Sequence, residues 1–165
     1  VGIDQEAAEE LIPKLDEIQA TLWTLYHQYH KHHWLVEGPQ FHDLHAFFEE
    51  QYTEVHKYVD RVAERITALG GIPTSSPAGH AELSHVEHEP EGTYRLRKML
   101  QHDLQGERVL CGQLREAIDI AIEHGDHGTK RELQKVLTKA EDRAHHVDHL
   151  LGQDTLEYGL TADAE

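Results

Sequence analysis

Histidine and carboxylate side chains are concentrated in residues 30–50, which read HKHHWLVEGPQFHDLHAFFEE. Imidazole nitrogens bind iron or zinc, and carboxylate oxygens suit ferrous and ferric iron. His45 and Glu49 are four residues apart, as are Asp60 and Glu64 further along the chain. Residues at this spacing lie side by side on a helix, so each pair can direct two ligand atoms at one cation. The spacing predicts two pairs of metal ligands, although any single pair of this kind is more often a solvated helix face.

The two pairs are too far apart for one chain to bring them to the same ion. Fifteen residues separate His45 from Asp60, which is roughly 22 Å along a helix. A two-fold related copy can close this gap, because an isologous interface sets one patch against the other and creates two identical sites. The sequence therefore predicts a metal site shared between two copies of the chain.

A metal site enclosed by one bundle is disfavoured. Di-iron centres of that kind use Glu-x-x-His motifs on facing helices. In this chain only Glu82 and His85 have that spacing, and they fall in a predicted connection. Cys111 is the only cysteine, so neither an intrachain disulfide nor a thiolate cluster is available.

The remaining histidines are weaker candidates. His145 and His149 are four residues apart and could form a secondary metal site on the surface of a helix. His30, His32 and His42 lie near His45 in the sequence and could pass metal ions towards a site there. An exposed histidine on an acidic helix is more often simply solvated, so both interpretations stay open.

Apolar residues recur at steps of three and four through most of the chain, which is the pattern of amphipathic helices. Glycine and proline interrupt the pattern at few places, chiefly Gly38-Pro39, 70–92 and 125–128. The four long helical segments are predicted at about 5–37, 41–69, 93–124 and 127–152.

Four long helices without strand-like alternation predict an all-α fold, a four-helix bundle, in a single domain spanning 1–165. The connection at 70–92 is longer than an antiparallel turn requires, so it is expected to cross the length of the bundle. We predict a short helix at about 81–87 within it and Thr93 as the N-cap of the third long helix. The tail from 154 onwards is expected to be a short ordered segment with a frayed acidic end.

Charge excludes some classes of partner. The chain has 31 acidic and 15 basic residues, a formal net charge of -16, and 16 histidines. Such a charge repels nucleic-acid phosphates and anionic membranes, so direct DNA binding is disfavoured. No apolar run approaches the length of a membrane span and the first residues are acidic, so we expect no membrane association and a cytoplasmic location.

Residues 31–71, KHHWLVEGPQFHDLHAFFEEQYTEVHKYVDRVAERITALGG, resemble the signature of the Dps family, the ferritin-like mini-ferritins known as DNA-binding proteins from starved cells. The shared features are a His-Trp pair with a following glycine turn, a second histidine twelve residues on, an acidic residue four later, and Asp-x-x-x-Glu-Arg before Leu-Gly-Gly. The resemblance implies a ferritin-like bundle with a long crossover, assembled into a hollow dodecamer with iron-oxidation sites at its two-fold interfaces.

The resemblance also implies a ligand set. His33 and His45 match the two histidine ligands of the family, and Asp60 and Glu64 match the two carboxylates that come from the partner chain. Glu49 occupies a neighbouring acidic position that is commonly aspartate. The expected metal is iron, and zinc can occupy the same donors.

Three further positions are carried over from the family. Trp34 matches the tryptophan beside the site, where it could accept oxidising equivalents, pack at the interface, or do both. Asp126 matches an acidic residue that lines a three-fold pore. Arg131 stands where the family has a nearby aspartate, which changes the charge of that pore.

The function implied is iron storage and detoxification under oxidative stress. Ferrous iron would be oxidised at the intersubunit sites, preferentially by hydrogen peroxide, and stored as ferric mineral in the shell, with Glu50 and Glu54 as candidate nucleation residues. One alternative is a hemerythrin-like bundle that binds oxygen or metal without ferroxidase turnover. A nucleoid-compacting protein and a zinc or nickel buffer are two further alternatives.

Overall fold

The computed structural model describes residues 2–152, which fold into five α-helices without a β-strand. The helices are α1 (Gln5–Leu35), α2 (Phe41–Ala68), α3 (Pro77–Leu83), α4 (Leu96–Glu123) and α5 (His127–Leu150). In the bundle, α1 packs along α2 and α4 packs along α5, while α1 also contacts α4. The all-α four-helix bundle with a long crossover between its second and third long helices is confirmed.

The predicted apolar stripes form the core. Their residues meet in one continuous cluster in which Leu15, Phe48, Leu110 and Leu133 are almost completely buried. Burial of each such side chain contributes roughly 1.5–3 kcal/mol through the hydrophobic effect. This core fixes the rotation of α1 and α2, and so it decides which of their faces carry the candidate metal ligands.

Two local predictions, both about where a helix begins, are wrong. The third long helix begins at Leu96 after Arg95, and no side chain caps it, so Thr93 is not its N-cap. The short crossover helix is α3, four residues earlier than predicted. Ser76 accepts a hydrogen bond from the Gly79 backbone N–H, and the following proline is preorganised for the first helical turn.

The crossover is held along α1 by polar contacts at both of its ends. Near its start, Asp16 accepts hydrogen bonds from the backbone N–H and hydroxyl of Thr74 at 2.9 and 2.6 Å. Near its end, Glu89 is buried against α1 and α4. The predicted tail at 154–165 lies outside the described residues. Over 2–152, no helix has both the length and the apolar character that a bilayer span needs.

Candidate metal centre

His33 near the end of α1 and His45 in the second turn of α2 form one unit. Their rings stack with centroids 3.7 Å apart and planes inclined by 17°. Each ring donates its Nδ1–H to the backbone carbonyl of the other residue, at 2.7 Å from His33 and 2.8 Å from His45. These reciprocal hydrogen bonds fix the tautomer, so both Nε2 atoms carry the lone pair that binds a metal.

The predicted carboxylates lie along α2 and are exposed. Glu49 follows His45 by one turn, and Asp60 and Glu64 are one turn apart near the far end of the helix. Because all of them belong to one uninterrupted helix, the roughly 22 Å separation predicted between His45 and Asp60 holds. Each protomer therefore presents a histidine pair and a separate carboxylate pair.

These two groups of ligands do not meet within a protomer. In the part of the chain that the structure describes, no three His, Cys, Asp or Glu side chains come together as a metal site. That a complete site takes the histidine pair from one copy and the carboxylate pair from another stays a prediction, since such a site belongs to an assembly.

Trp34 lies beside the histidine pair with 64% of its side chain exposed, compared with 43% for Phe41 at the start of α2. Its ring packs against His30 with centroids 4.1 Å apart. His30 is half-buried between Trp34 and Tyr52, whereas His42 is exposed at the start of α2. The two histidines therefore have different surroundings, although the sequence pattern places them in one group.

The prediction that His32 belongs with the surface histidines is wrong, because its side chain is completely buried. Its Nδ1 lies 2.7 Å from Asp103 and its Nε2 lies 2.9 Å from Glu89. Burial disfavours the imidazolium, but the two carboxylates outweigh this effect and raise the pKa of His32. Burial also raises the pKa of Asp103. The ring bridges α4 and the crossover through these two carboxylates, and it is not directed at the candidate metal centre.

Glu89 collects three donors on its buried carboxylate. Lys31 donates at 2.6 Å, and the rings of His102 and His32 lie at 2.6 and 2.9 Å. Burial by itself would raise the pKa of the carboxyl, but hydrogen bonds from His102 and Lys31 and the charge of His32 lower it to about 2. This carboxylate therefore stays ionised and fastens the crossover to the bundle.

A second buried ion pair occupies the middle of the bundle. Arg143, 1% exposed, donates from Nε and Nη2 to Glu107 at 2.6 and 3.1 Å. Tyr29 donates its hydroxyl to the same carboxylate at 2.9 Å, and Arg143 also donates to Glu54 at 2.9 Å. Burial by itself would lower the pKa of Arg143, but the neighbouring carboxylate of Glu107 outweighs this effect and raises the pKa above its ordinary value. Glu54 is therefore already paired with Arg143. Glu50, the other predicted nucleation residue, is exposed.

The remaining sequence candidates lie apart from the histidine pair. Asp126 is buried as the N-cap of α5, accepting from Thr129 N–H at 3.0 Å and pairing with Arg65 at 3.2 Å. Its place in a pore stays a prediction, since a pore belongs to an assembly. His145 and His149 lie on α5 with ring centroids 4.2 Å apart, close enough to share a cation.

The single thiol is not available as a ligand at neutral pH. Cys111 is buried in the core. Burial raises the pKa of its thiol to about 11. Because the thiolate is the form that binds metals, this side chain behaves as a small apolar residue.

Comparison with known proteins gives a consistent result. A family model described as the ferritin-like domain matches residues 12–156. The nutrient stress-induced DNA-binding protein of Nostoc sp. is 38% identical over 165 residues, which is 100% of this chain and 90% of that protein. The DNA protection during starvation protein of Halobacterium salinarum is 38% identical over 154 residues, 93% of this chain and 85% of its own.

Solved structures agree with the sequence comparison. An archaeal Dps homologue from Halobacterium salinarum superposes with a TM-score of 0.90 at 38% identity, covering 93% of this chain and 85% of the other. A Dps protein from Vibrio cholerae, described as a member of a superfamily of ferritin-like diiron-carboxylate proteins, superposes with a TM-score of 0.87 at 27% identity. That match covers 92% of this chain and 94% of the other.

Proposed function

The chain belongs to the Dps family of ferritin-like proteins, a family of iron storage and protection, and we propose that it oxidises ferrous iron at sites shared between two protomers. Hydrogen peroxide is the preferred oxidant in this proposal. The ferric product is stored inside a shell of about twelve chains, as the family resemblance implies.

The observation that carries the proposal is the reciprocal pairing of His33 and His45. A histidine used only for packing has no need of a fixed tautomer, whereas a histidine ligand commonly has its second nitrogen hydrogen-bonded to a carbonyl or carboxylate. Here both rings have this feature, and neither Nε2 has a hydrogen-bond partner among residues 2–152. The carboxylates of the partner subunit supply hard oxygen ligands opposite these two atoms.

Each residue of the proposed site has a role that follows from its chemistry. His33 and His45 hold one ferrous ion together with the partner's Asp60 and the partner's Glu64, while Glu49 lies where it can reach a second ion. Two ferrous ions give up one electron each, and peroxide takes both electrons with two protons to form two waters. A pair of ions at one site therefore avoids release of hydroxyl radical.

Protection of DNA follows from this chemistry without contact between protein and DNA. Relatives carry names that refer to DNA binding or DNA protection. This chain has a net charge of -16 and an acidic first turn in α1, so phosphate contacts face electrostatic repulsion. We expect no band shift of duplex DNA at low salt, and binding without divalent cations at moderate salt would contradict this part of the proposal.

The experiment that tests the proposal compares the native chain with Asp60→Ala combined with Glu64→Ala. The shells are loaded with ferrous iron without oxygen, hydrogen peroxide is added at one per two irons, and ferric absorbance and particle size are recorded. The matched control is Asp119→Ala combined with Glu123→Ala, because these two acids are also exposed and one turn apart, on α4.

Fast oxidation in a particle of about twelve chains that is lost only in the Asp60 and Glu64 variant supports the shared site. Equal rates in all three proteins, or loss in the control as well, would refute it. The hemerythrin-like alternative predicts a particle of monomer size that binds oxygen without turnover. That class needs ligands enclosed in one bundle, and residues 2–152 hold no cluster of three such ligands. A zinc or nickel buffer would bind metal and consume no peroxide.

A further inference from the structure

Five aromatic rings form a continuous array across the face shared by α1 and α2. The spacing between ring centroids is 4.1 Å from Trp34 to His30 and 4.4 Å from His30 to Tyr52. It is 5.8 Å from Tyr52 to Tyr26 and 5.6 Å from Tyr26 to Trp23. We call this series, Trp34, His30, Tyr52, Tyr26 and Trp23, the aromatic array. Each step brings the rings within the range of direct contact between aromatic side chains.

The array begins at the histidine pair. Trp34 follows His33 in the chain, and the ring of His33 lies 5.3 Å from that of Tyr52. Oxidation chemistry at the Nε2 atoms of the pair would thus take place beside the first three rings. The array lies on the outer side of the apolar core, since Trp34 is exposed and the other four rings are half-buried.

The array ends beside Asp60, one member of the carboxylate pair. Trp23 lines a surface cavity of about 250 Å³ together with Asp60, and His56 lies on the same cavity wall. The ring of His56 is 5.5 Å from Trp23 and 5.2 Å from Tyr26. The array therefore runs from the histidine pair of a protomer to Asp60 of the same protomer, which α2 holds roughly 22 Å from His45.

These two ends belong to different oxidation sites in the proposed two-fold dimer. The histidine pair forms one site with the partner's carboxylates, and the carboxylate pair forms the other site with the partner's histidines. A path through one protomer is consequently a path between two sites. Packing alone explains aromatic contacts one by one, but it does not explain why oxidisable rings are joined from one site to the other.

We propose that the aromatic array carries an electron between the two oxidation sites of a dimer, so that single ferrous ions at separate sites can together reduce one peroxide. This inference rests on the proposed function. Tryptophan and tyrosine are the members of the array that can lose an electron, and His30 bridges Trp34 and Tyr52 as a packed ring. The array matters when iron is scarce and each site holds one ion.

The electron balance has two parts. At the first site, one ferrous ion gives one electron to hydrogen peroxide, the O–O bond breaks, and the second electron comes from Trp34, so that with two protons both oxygens leave as water. The electron missing at Trp34 is replaced from Tyr52, then Tyr26, then Trp23, and finally from the ferrous ion at the second site. Each tyrosine releases its phenolic proton when it is oxidised and regains it when it is reduced. In total, two ferrous ions become ferric and one peroxide becomes two waters.

The test compares native protein with Tyr26→Phe, which keeps the ring but removes the capacity to be oxidised. Tyr58→Phe is the control, because Tyr58 lies on α2 outside the aromatic array. Each protein receives one ferrous ion per site, or a full load, without oxygen and then limiting peroxide with excess spin trap. Ferric yield, trapped hydroxyl radical and tyrosyl radical are followed by absorbance and electron paramagnetic resonance.

At one ion per site we expect native protein and Tyr58→Phe to form two ferric ions per peroxide with little trapped radical. Tyr26→Phe should form about half as much ferric iron per peroxide and several times more trapped hydroxyl radical. At full load all three should agree, because both electrons then come from one site. Trp23→Phe interrupts the array at another link and should behave like Tyr26→Phe. Agreement between the two variants would show that the effect does not come from a folding defect in one of them.

If Tyr26→Phe and Trp23→Phe match native protein at low load while full-load oxidation is normal, the relay is refuted and the proposed function stands. If native protein fails to oxidise iron with peroxide even at full load, the proposed function itself is wrong and the relay falls with it. A tyrosyl signal that appears in native protein at low load and disappears in Tyr26→Phe supports the relay directly.

Discussion

Replacing Glu89 by glutamine should destabilise the protein by weakening the attachment of the crossover to the bundle. The carboxylate is 4% exposed and accepts from Lys31, His32 and His102 at 2.6–2.9 Å. An amide has the same shape but carries no charge, and its NH₂ group would face donors. The two buried donors, Lys31 and His32, would therefore lose an ionised acceptor that water cannot replace.

The magnitude follows from the pKa of the carboxyl, which falls from its ordinary value of 4.5 to about 2. At about 1.4 kcal/mol per unit of pKa, the contribution at pH 7 is about 3 kcal/mol. Because the pKa is lower in the folded state, this stability is complete above pH 4.5 and is lost as the pH falls towards 2. The difference between native protein and Glu89→Gln should therefore be largest at neutral pH and shrink below pH 4.5.

Urea unfolding followed by circular dichroism at several pH values between 7 and 3 measures this difference. Protein concentration is held fixed, since dissociation of a shell contributes to apparent stability. Glu87→Gln is the control, an exposed carboxylate two residues away that should change stability by less than about 0.5 kcal/mol. A gap that stays constant from pH 7 to pH 3 would refute the argument, because it would arise from packing and not from the ionised group.

Two further substitutions test the interior. Arg143→Met should cost about 3–5 kcal/mol because it leaves Glu107 buried without a cation, and adding Glu107→Gln should recover most of the loss in urea unfolding. If adding Glu107→Gln lowered the stability of Arg143→Met still further, this reasoning would be contradicted. Gly106→Ala should cost about 1–3 kcal/mol because its Cβ would lie 2.5 Å from Leu25 Cδ2. Gly112→Ala on the same helix meets open space and should stabilise by up to about 1 kcal/mol, so equal effects of the two would refute the packing argument.

The helices were predictable because their apolar residues repeat with the helical period. The bounds of all four long helices agree with the prediction to within a few residues. Ser76 and Pro77 are a recognisable helix start in the sequence, and the predicted position at 81–87 overlooked them. The placement of His45 with Glu49 and of Asp60 with Glu64 on one helix was also predictable, because spacing along a helix fixes which residues are neighbours.

The buried ionic residues were missed because a charged residue was taken as a mark of the solvent face. A signal was present, however. On α4 the apolar residues Leu104 and Leu110 are six positions apart, and Glu107 lies between them at the helical spacing where an apolar residue would be expected. On α5, Arg143 lies between Ala140 and Val147 at the same helical spacing. A charged residue of each sign within facing apolar stripes indicates a buried pair.

Reciprocal hydrogen bonds between His33 and His45 could not be inferred from spacing. They depend on the exact approach of the end of α1 to the start of α2, which the turn at 36–40 and the core packing set together. The aromatic array has the same origin. Tyr26 and Tyr52 lie on different helices, and only the rotation of each helix brings their rings to 5.8 Å.

The charges inside the bundle give a physical reason for proposing the iron site at the protomer surface. Glu107 is matched by Arg143, and Glu89 by Lys31, so these buried carboxylates already have cationic partners. A metal ion in the bundle would have to displace one of these cations and leave it buried without a counter-charge, at a cost of several kcal/mol. The exposed carboxylates of α2 carry no such constraint. An ion that binds them meets no buried competitor, which favours a site completed by a second protomer over one enclosed by a single chain.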